Sequence, residues 1–151
     1  MIMKLNKFEF TKELIKEIAE QLDCGFRCFI HKENGELITL PDENHHSGMD
    51  MELWADDMEK VDENFGDYFV INPPESSDSF RMMEDFVYTL PESESLRKNL
   101  IYALNQRKPF RQFKSIIDNS GPFRQQWFDF KDRKLQEWVA DHIEGNSSIE
   151  E

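Results

Sequence analysis

Hydrophobic positions recur along this chain with two periods, and the change of period divides it into halves. In the first half, Leu14, Ile15, Ile18 and Leu22 fall three to four residues apart, the spacing of one face of a helix. Thr11 is placed to cap that helix and Gly25 to end it. The run FRCFIHKENGELITL then predicts a hairpin. Two β-prone segments flank Asn34-Gly35, the pair favoured in a type I′ turn. Pro41 to Gly48 reads as a polar loop. From Met49 to Phe65, the residues Trp54, Met58, Val61 and Phe65 sit at i, i+4, i+7 and i+11, which predicts an amphipathic helix with a very acidic outer face. Asp67 to Asn72 reads as a third strand, stopped by Pro73-Pro74. A hairpin alone is marginal in water, and a third strand makes a workable small sheet.

Beyond Pro74 the pattern is helical throughout. Ser76 to Thr89 carries Phe80, Met83, Phe86, Val87 and then Leu90. Ser93 or Ser95 is placed to cap a next helix with Leu96, Leu100, Ile101 and Leu104 on one side. Pro109 and Pro122 each mark a helix start, because proline at the first helical position sacrifices no hydrogen bond. Gly145 to Glu151 reads as a frayed tail. The predicted class is α+β, a small antiparallel sheet with helices followed by a helical C-terminal half. One domain is expected over 1–144, with a possible subdomain joint at 75–79 and a flexible tail at 145–151.

The last helix contains a conflict. At about 100° per residue from Phe123, Trp127 falls near ~40°, Trp138 near ~60° and Val139 near ~160°, so the apolar arc approaches ~180°. Arg124 and Lys131 fall inside it, near ~100° and ~80°. Either the helix breaks around Asp129 to Asp132, or these side chains lie along aromatic faces with their charged heads in water.

Charge sharpens that conflict. The formal charge is −13, from 18 basic and 31 acidic residues. Residues Ser95 to Lys134 hold ten bases and three acids (Asp118, Asp129, Asp132), and the remainder is correspondingly acidic. The chain as a whole repels nucleic acid at long range, while this segment attracts anions locally. Two cysteines, Cys24 and Cys28, are too few for a disulfide scaffold. With no apolar run of signal-peptide or membrane-spanning length, the expectation is a cytoplasmic protein with no membrane partner.

Candidate chemistry is sparse. His45-His46, near Asp50 and Glu52, are adjacent rather than one helical turn apart, so their side chains diverge and no metal is expected there. Cys24 and Cys28 lack a third soft ligand, which favours two half-buried thiols over a zinc or iron–sulfur site. The carboxylates from Asp50 to Glu63 read as a solvated helix face rather than as an enclosed acid/base pair. No glycine-rich phosphate loop occurs, and no cofactor is expected.

The basic-aromatic block from Pro109 to Trp138 is the remaining signal. Its aromatics at helical spacing read as core, with basic residues solvated around them. The functional readings use the same block. The leading expectation is a non-enzymatic binding or regulatory module with a protein partner or self-association, the basic block pairing with an acidic surface. The second is binding of RNA or single-stranded DNA through Arg111, Lys114, Arg124 and Lys131, with Phe110 or Trp127 stacking on bases. The third is an enzyme whose site gathers Glu84, Asp85 and a basic residue from the last two helices.

Several motifs occur in an order that resembles an uncharacterised bacterial protein family, one of the numbered families of unknown function. They are Tyr68-Phe69-Val70-Ile71-Asn72-Pro73-Pro74, Arg81-Met82-Met83-Glu84-Asp85-Phe86, Phe110-Arg111-Gln112-Phe113-Lys114 and Trp127-Phe128-Asp129-Phe130-Lys131-Asp132. The match runs from about Tyr68 to Trp138. Asp129 and Lys131 depart from the small residue and the arginine usual in the last motif. The resemblance implies a bacterial cytoplasmic protein and brings no activity with it.

Overall fold

The computed structural model describes residues 3–5, 8–42 and 51–150. Two compact units are present, one formed by Met1–Pro73 with Leu135–Glu151, the other by Pro74–Lys134. His45 and His46 lie outside the described residues.

The first unit opens with a short antiparallel hairpin, β1 (Met3–Leu5) with β2 (Phe8–Phe10), which the hydrophobic pattern does not announce. Helix α1 (Lys12–Asp23) starts where Thr11 accepts the Leu14 N–H at 3.1 Å and ends ahead of Gly25, whose φ of 83° suits a residue without Cβ. Strands β3 (Phe26–His31), β4 (Leu37–Pro41) and β5 (Tyr68–Ile71) form an antiparallel sheet in the order β4-β3-β5. The registers pair Cys28 with Thr39 and with Ile71. The middle strand β3 is bonded along both edges, and successive residues on both of its faces are buried. Cys28, Phe29 and Ile30 are all buried, which explains a run with no polar alternation. Helix α2 (Ala55–Glu63) follows a 3-10 turn at Met51–Trp54, and Trp54, Met58 and Val61 close over Phe29, Ile38, Leu40 and Tyr68.

Two expectations for this unit change. The turn at Asn34-Gly35 is not type I′. Only Gly35 has positive φ, where that turn needs two such residues, and the loop closes through the Gly35 N–H on the His31 carbonyl at 2.8 Å. Phe65 does not extend the apolar face of α2. The helix stops at Glu63, and the ring, in a following 3-10 turn, is 57% exposed. Leu53, just ahead of α2, is 77% exposed.

The second unit contains α3 (Ser76–Thr89), α4 (Ser95–Leu104), α5 (Pro109–Asp118) and the start of α6 (Phe123–Glu150). Helix α3 begins at Glu75, whose N–H is accepted by the Asp78 carboxylate at 3.2 Å. Neither Ser93 nor Ser95 caps α4. Glu94 holds that position without a side-chain bond. Pro109 is the first residue of α5, while Pro122 stands one residue ahead of α6. The expected tail at 145–151 falls on helical backbone as far as Glu150.

Met83, Phe86, Leu100, Leu104, Phe113 and Trp127 lead the core of this unit. Trp127 is its hub, with ring centroids 5.0 Å from Phe113, 5.3 Å from Phe86 and 6.3 Å from Phe130. Edge-on, tilted and stacked aromatic pairs add about 0.5–1.5 kcal/mol each beyond the area they bury.

Candidate interaction surface

Between Ser95 and Ile117 there are six bases (Arg97, Lys98, Arg107, Lys108, Arg111, Lys114) and no acid. The helices that carry them turn their apolar residues inward for the most part, but not entirely. On α4 the buried set is Leu96, Leu100, Ala103 and Leu104. Ile101, expected on the same side, lies outside that stripe and is exposed, next to Tyr102 at 68%. On α5, Phe113 and Ile117 are buried, and Phe110 keeps 42% of its surface in water.

The α5 surface follows from its periodicity. Phe110, Lys114 and Asp118 are successive turns of one stripe, and Arg111 lies about 60° further round. The Phe110 ring meets Phe80 of α3 edge-on at 6.4 Å. Arg111 and Lys114 are exposed, and neither makes an ion pair among the described residues. Asp118, at the end of the stripe, is engaged by Arg124 at 3.3 Å. The uncompensated charge therefore sits toward the N-terminal end of α5.

That end is electrostatically inverted. A helix start favours negative charge, yet α5 has no acid in its first turn and follows Arg107 and Lys108. Lys108 holds the N-cap in the left-handed region, φ 53°, with no side-chain cap. Across α3 and α4, Tyr88 is also exposed, and the Arg97 guanidinium lies 5.4 Å from its ring while donating to the Leu90 carbonyl at 3.2 Å.

The conflict in α6 resolves in favour of an unbroken helix. The Arg124 guanidinium lies 4.7 Å from the Phe128 ring, and the Lys131 ammonium lies 5.3 Å from the same ring and 5.8 Å from Trp127. Phe128 is thus flanked by two cations. Trp127 cannot act as a base-stacking platform, because it is 9% exposed and packed among Phe86, Phe113 and Phe130. The structure gathers Phe110, Arg111 and Lys114 on α5. Arg124 and Lys131 are gathered separately around Phe128. Glu84 is half-buried and Asp85 exposed, both on α3. Sequence reasoning missed Tyr88, Ile101 and Tyr102 as surface groups. The signal available for the latter two was their position, one and two residues past Leu100 in a short helix.

Cys28 offers no activated nucleophile. The Cys28 thiol donates to the Ile18 carbonyl at 3.9 Å, and burial, aided by Glu17, pushes its pKa up to about 12. Cys24 is exposed. Lys60 is held above its ordinary value by a 2.8 Å bond to Glu36. Among the described residues no group of three or more His, Cys, Asp or Glu side chains is placed to hold a metal, and no helix is long and apolar enough to cross a membrane.

The model of the uncharacterised protein family UPF0158 matches residues 6–150, well beyond the stretch that carried the resemblance. A UPF0158 protein of Pseudomonas aeruginosa is 26% identical over 133 residues, covering 87% of this chain and 81% of that protein. No solved structure matches.

Proposed function

Because this chain belongs to the uncharacterised protein family UPF0158, it inherits no assigned activity, and we propose from its surface that it is a non-enzymatic binding module. Its helical unit takes an acidic, apolar-bearing segment of a protein partner. The observation that carries this reading is the acid-free run from Ser95 to Ile117, which exposes Ile101, Tyr102 and Phe110 among six bases. Apolar groups supply affinity at such a surface, while the surrounding charges select the partner and its orientation.

The test is capture. The full-length protein retains a partner at low and moderate salt, and the double variant Arg111→Glu/Lys114→Glu, with an unchanged circular dichroism spectrum, loses it. Retention by the variant, or no partner for the wild type, sinks the reading.

The exposure of Phe110 beside Arg111 and Lys114 also favours a second reading, in which these three hold single-stranded RNA or DNA. A labelled oligouridine then binds with an affinity falling as salt rises, with a logarithmic slope of about −0.7 per phosphate contacted. No binding at low salt, or binding that survives Phe110→Ala together with the charge reversal, removes this alternative.

A further inference from the structure

The acidic surface of this chain carries the complement of its basic one. From Met51 to Glu63 there are six acids (Glu52, Asp56, Asp57, Glu59, Asp62, Glu63) and one base. That base, Lys60, is already occupied by Glu36. The outer side of α2 holds an open depression of about 620 Å3 lined by Glu52, Ala55, Met58, Glu59, Asp62 and Glu63. Ala55 and Met58 supply its apolar lining, and the other four lining residues are carboxylates. Leu53 and Phe65 stand exposed at the two ends of the helix. The α4–α5 surface has the opposite form, with Tyr102 and Phe110 projecting among six bases.

We propose that the partner of the α4–α5 surface is a second copy of this chain, which presents α2. This deepens the binding-module reading and rests on it. Tyr102 or Phe110 of one copy enters the depression on α2 of the other, and the carboxylates lining it meet Lys98, Lys108, Arg111 and Lys114. The two patches differ, so the contact is head-to-tail rather than a self-matching patch on a two-fold axis. Each copy carries −13, so approach from a distance is repulsive, and association depends on local complementarity inside the screening length of about 8 Å at physiological salt. The result is a weak, orientation-specific assembly.

Sedimentation of two charge-reversed proteins tests this. Wild type self-associates as concentration rises to several hundred micromolar. Glu59→Lys/Asp62→Lys loses its acidic patch, Arg111→Glu/Lys114→Glu loses its basic patch, and each alone is monomeric. An equimolar mixture regains a 1:1 complex, because each variant retains the patch the other lacks. A wild type that stays monomeric, reversals without effect, or a mixture that stays monomeric overturns the proposal. Carbodiimide coupling of mixed 15N and 14N wild-type protein needs no variant to fold. It yields mixed-isotope peptides joining carboxylates of 52–63 to Lys98, Lys108 or Lys114, and same-isotope links alone overturn the proposal. In either case the protein-binding reading stands or falls separately, on partner capture by wild type against the basic-patch variant.

Discussion

The guanidinium of Arg124 rests 4.7 Å from the ring centroid of Phe128, one helical turn along α6, and that contact lets a charged residue occupy an apolar arc. Lys131 approaches the same ring at 5.3 Å. Cation–π contacts at exposed sites are worth about 0.5–1 kcal/mol. A double-mutant cycle of Arg124→Gln with Phe128→Leu, read by urea unfolding, should show coupling of about that size. Strict additivity of the two changes would mean that the ring does not hold the cation.

Trp127 separates packing from recognition. Truncation to alanine at a buried aromatic hub costs about 3–5 kcal/mol, a large share of the stability of an ordinary domain. Trp127→Phe is the milder probe. It lowers the urea midpoint while leaving partner capture and oligouridine affinity unchanged. A loss of binding without a loss of stability would restore Trp127 to the surface.

Phe110 predicts the reverse. With nearly half of its surface in water, Phe110→Ala reduces stability by about 1 kcal/mol or less. It abolishes retention of the partner. A variant that binds as the wild type does would show that the exposed ring is incidental.

Cys28 gives the protein a pH dependence on the alkaline side. Its pKa is raised from 9.0 to about 12 in the folded chain, so the folded state keeps a proton that the unfolded state releases. The resulting stability is fully present below pH 9 and is lost as pH rises from there toward 12, by at most about 1.4 kcal/mol per pH unit. Urea midpoints measured between pH 8 and pH 10.5 should fall more steeply for wild type than for Cys28→Ala. In the native protein a thiol reagent should label the exposed Cys24 alone, and rapid reaction of both cysteines would contradict this assignment.

Lys108 occupies a backbone region that disfavours a side chain, at a helix start that lacks a cap. Asparagine tolerates that φ and caps helices well. Lys108→Asn should raise stability by about 0.5–1 kcal/mol in thermal unfolding, while removing one base from the binding surface and weakening association. An unchanged or lower melting temperature would mean that the strained start is compensated elsewhere.

Local signals in the sequence proved accurate where one residue decides the structure. Thr11, Gly25 and Pro109 set element boundaries because their capping groups or fixed dihedrals act at short range. The three-stranded sheet was legible from Asn34-Gly35 and from Pro73-Pro74, although the turn itself closes differently. Phe65 and Ile101 were not placed correctly, and they share a cause. Burial depends on which neighbouring element arrives, and periodicity alone cannot report that. Phe65 loses its place because α2 ends early, and Ile101 because the buried stripe of α4 runs through Ala103. Of the candidate site, the charges of Arg111 and Lys114 were legible. So was the ring of Phe110, while the exposure of Ile101 and Tyr102 was not.

The chain divides unequally in time as well as in space. The helical unit is one continuous segment, so its core is complete once Lys134 has been made. The sheet-bearing unit closes through both ends of the chain. The Trp138 indole donates to the Asn72 carbonyl at 3.2 Å, and Val139 and Ile143 are fully buried. Contacts across so long a separation in sequence form slowly. A chain emerging from the ribosome therefore carries its sheet with part of the core still unmade until α6 appears, and that interval is when it is most exposed to aggregation.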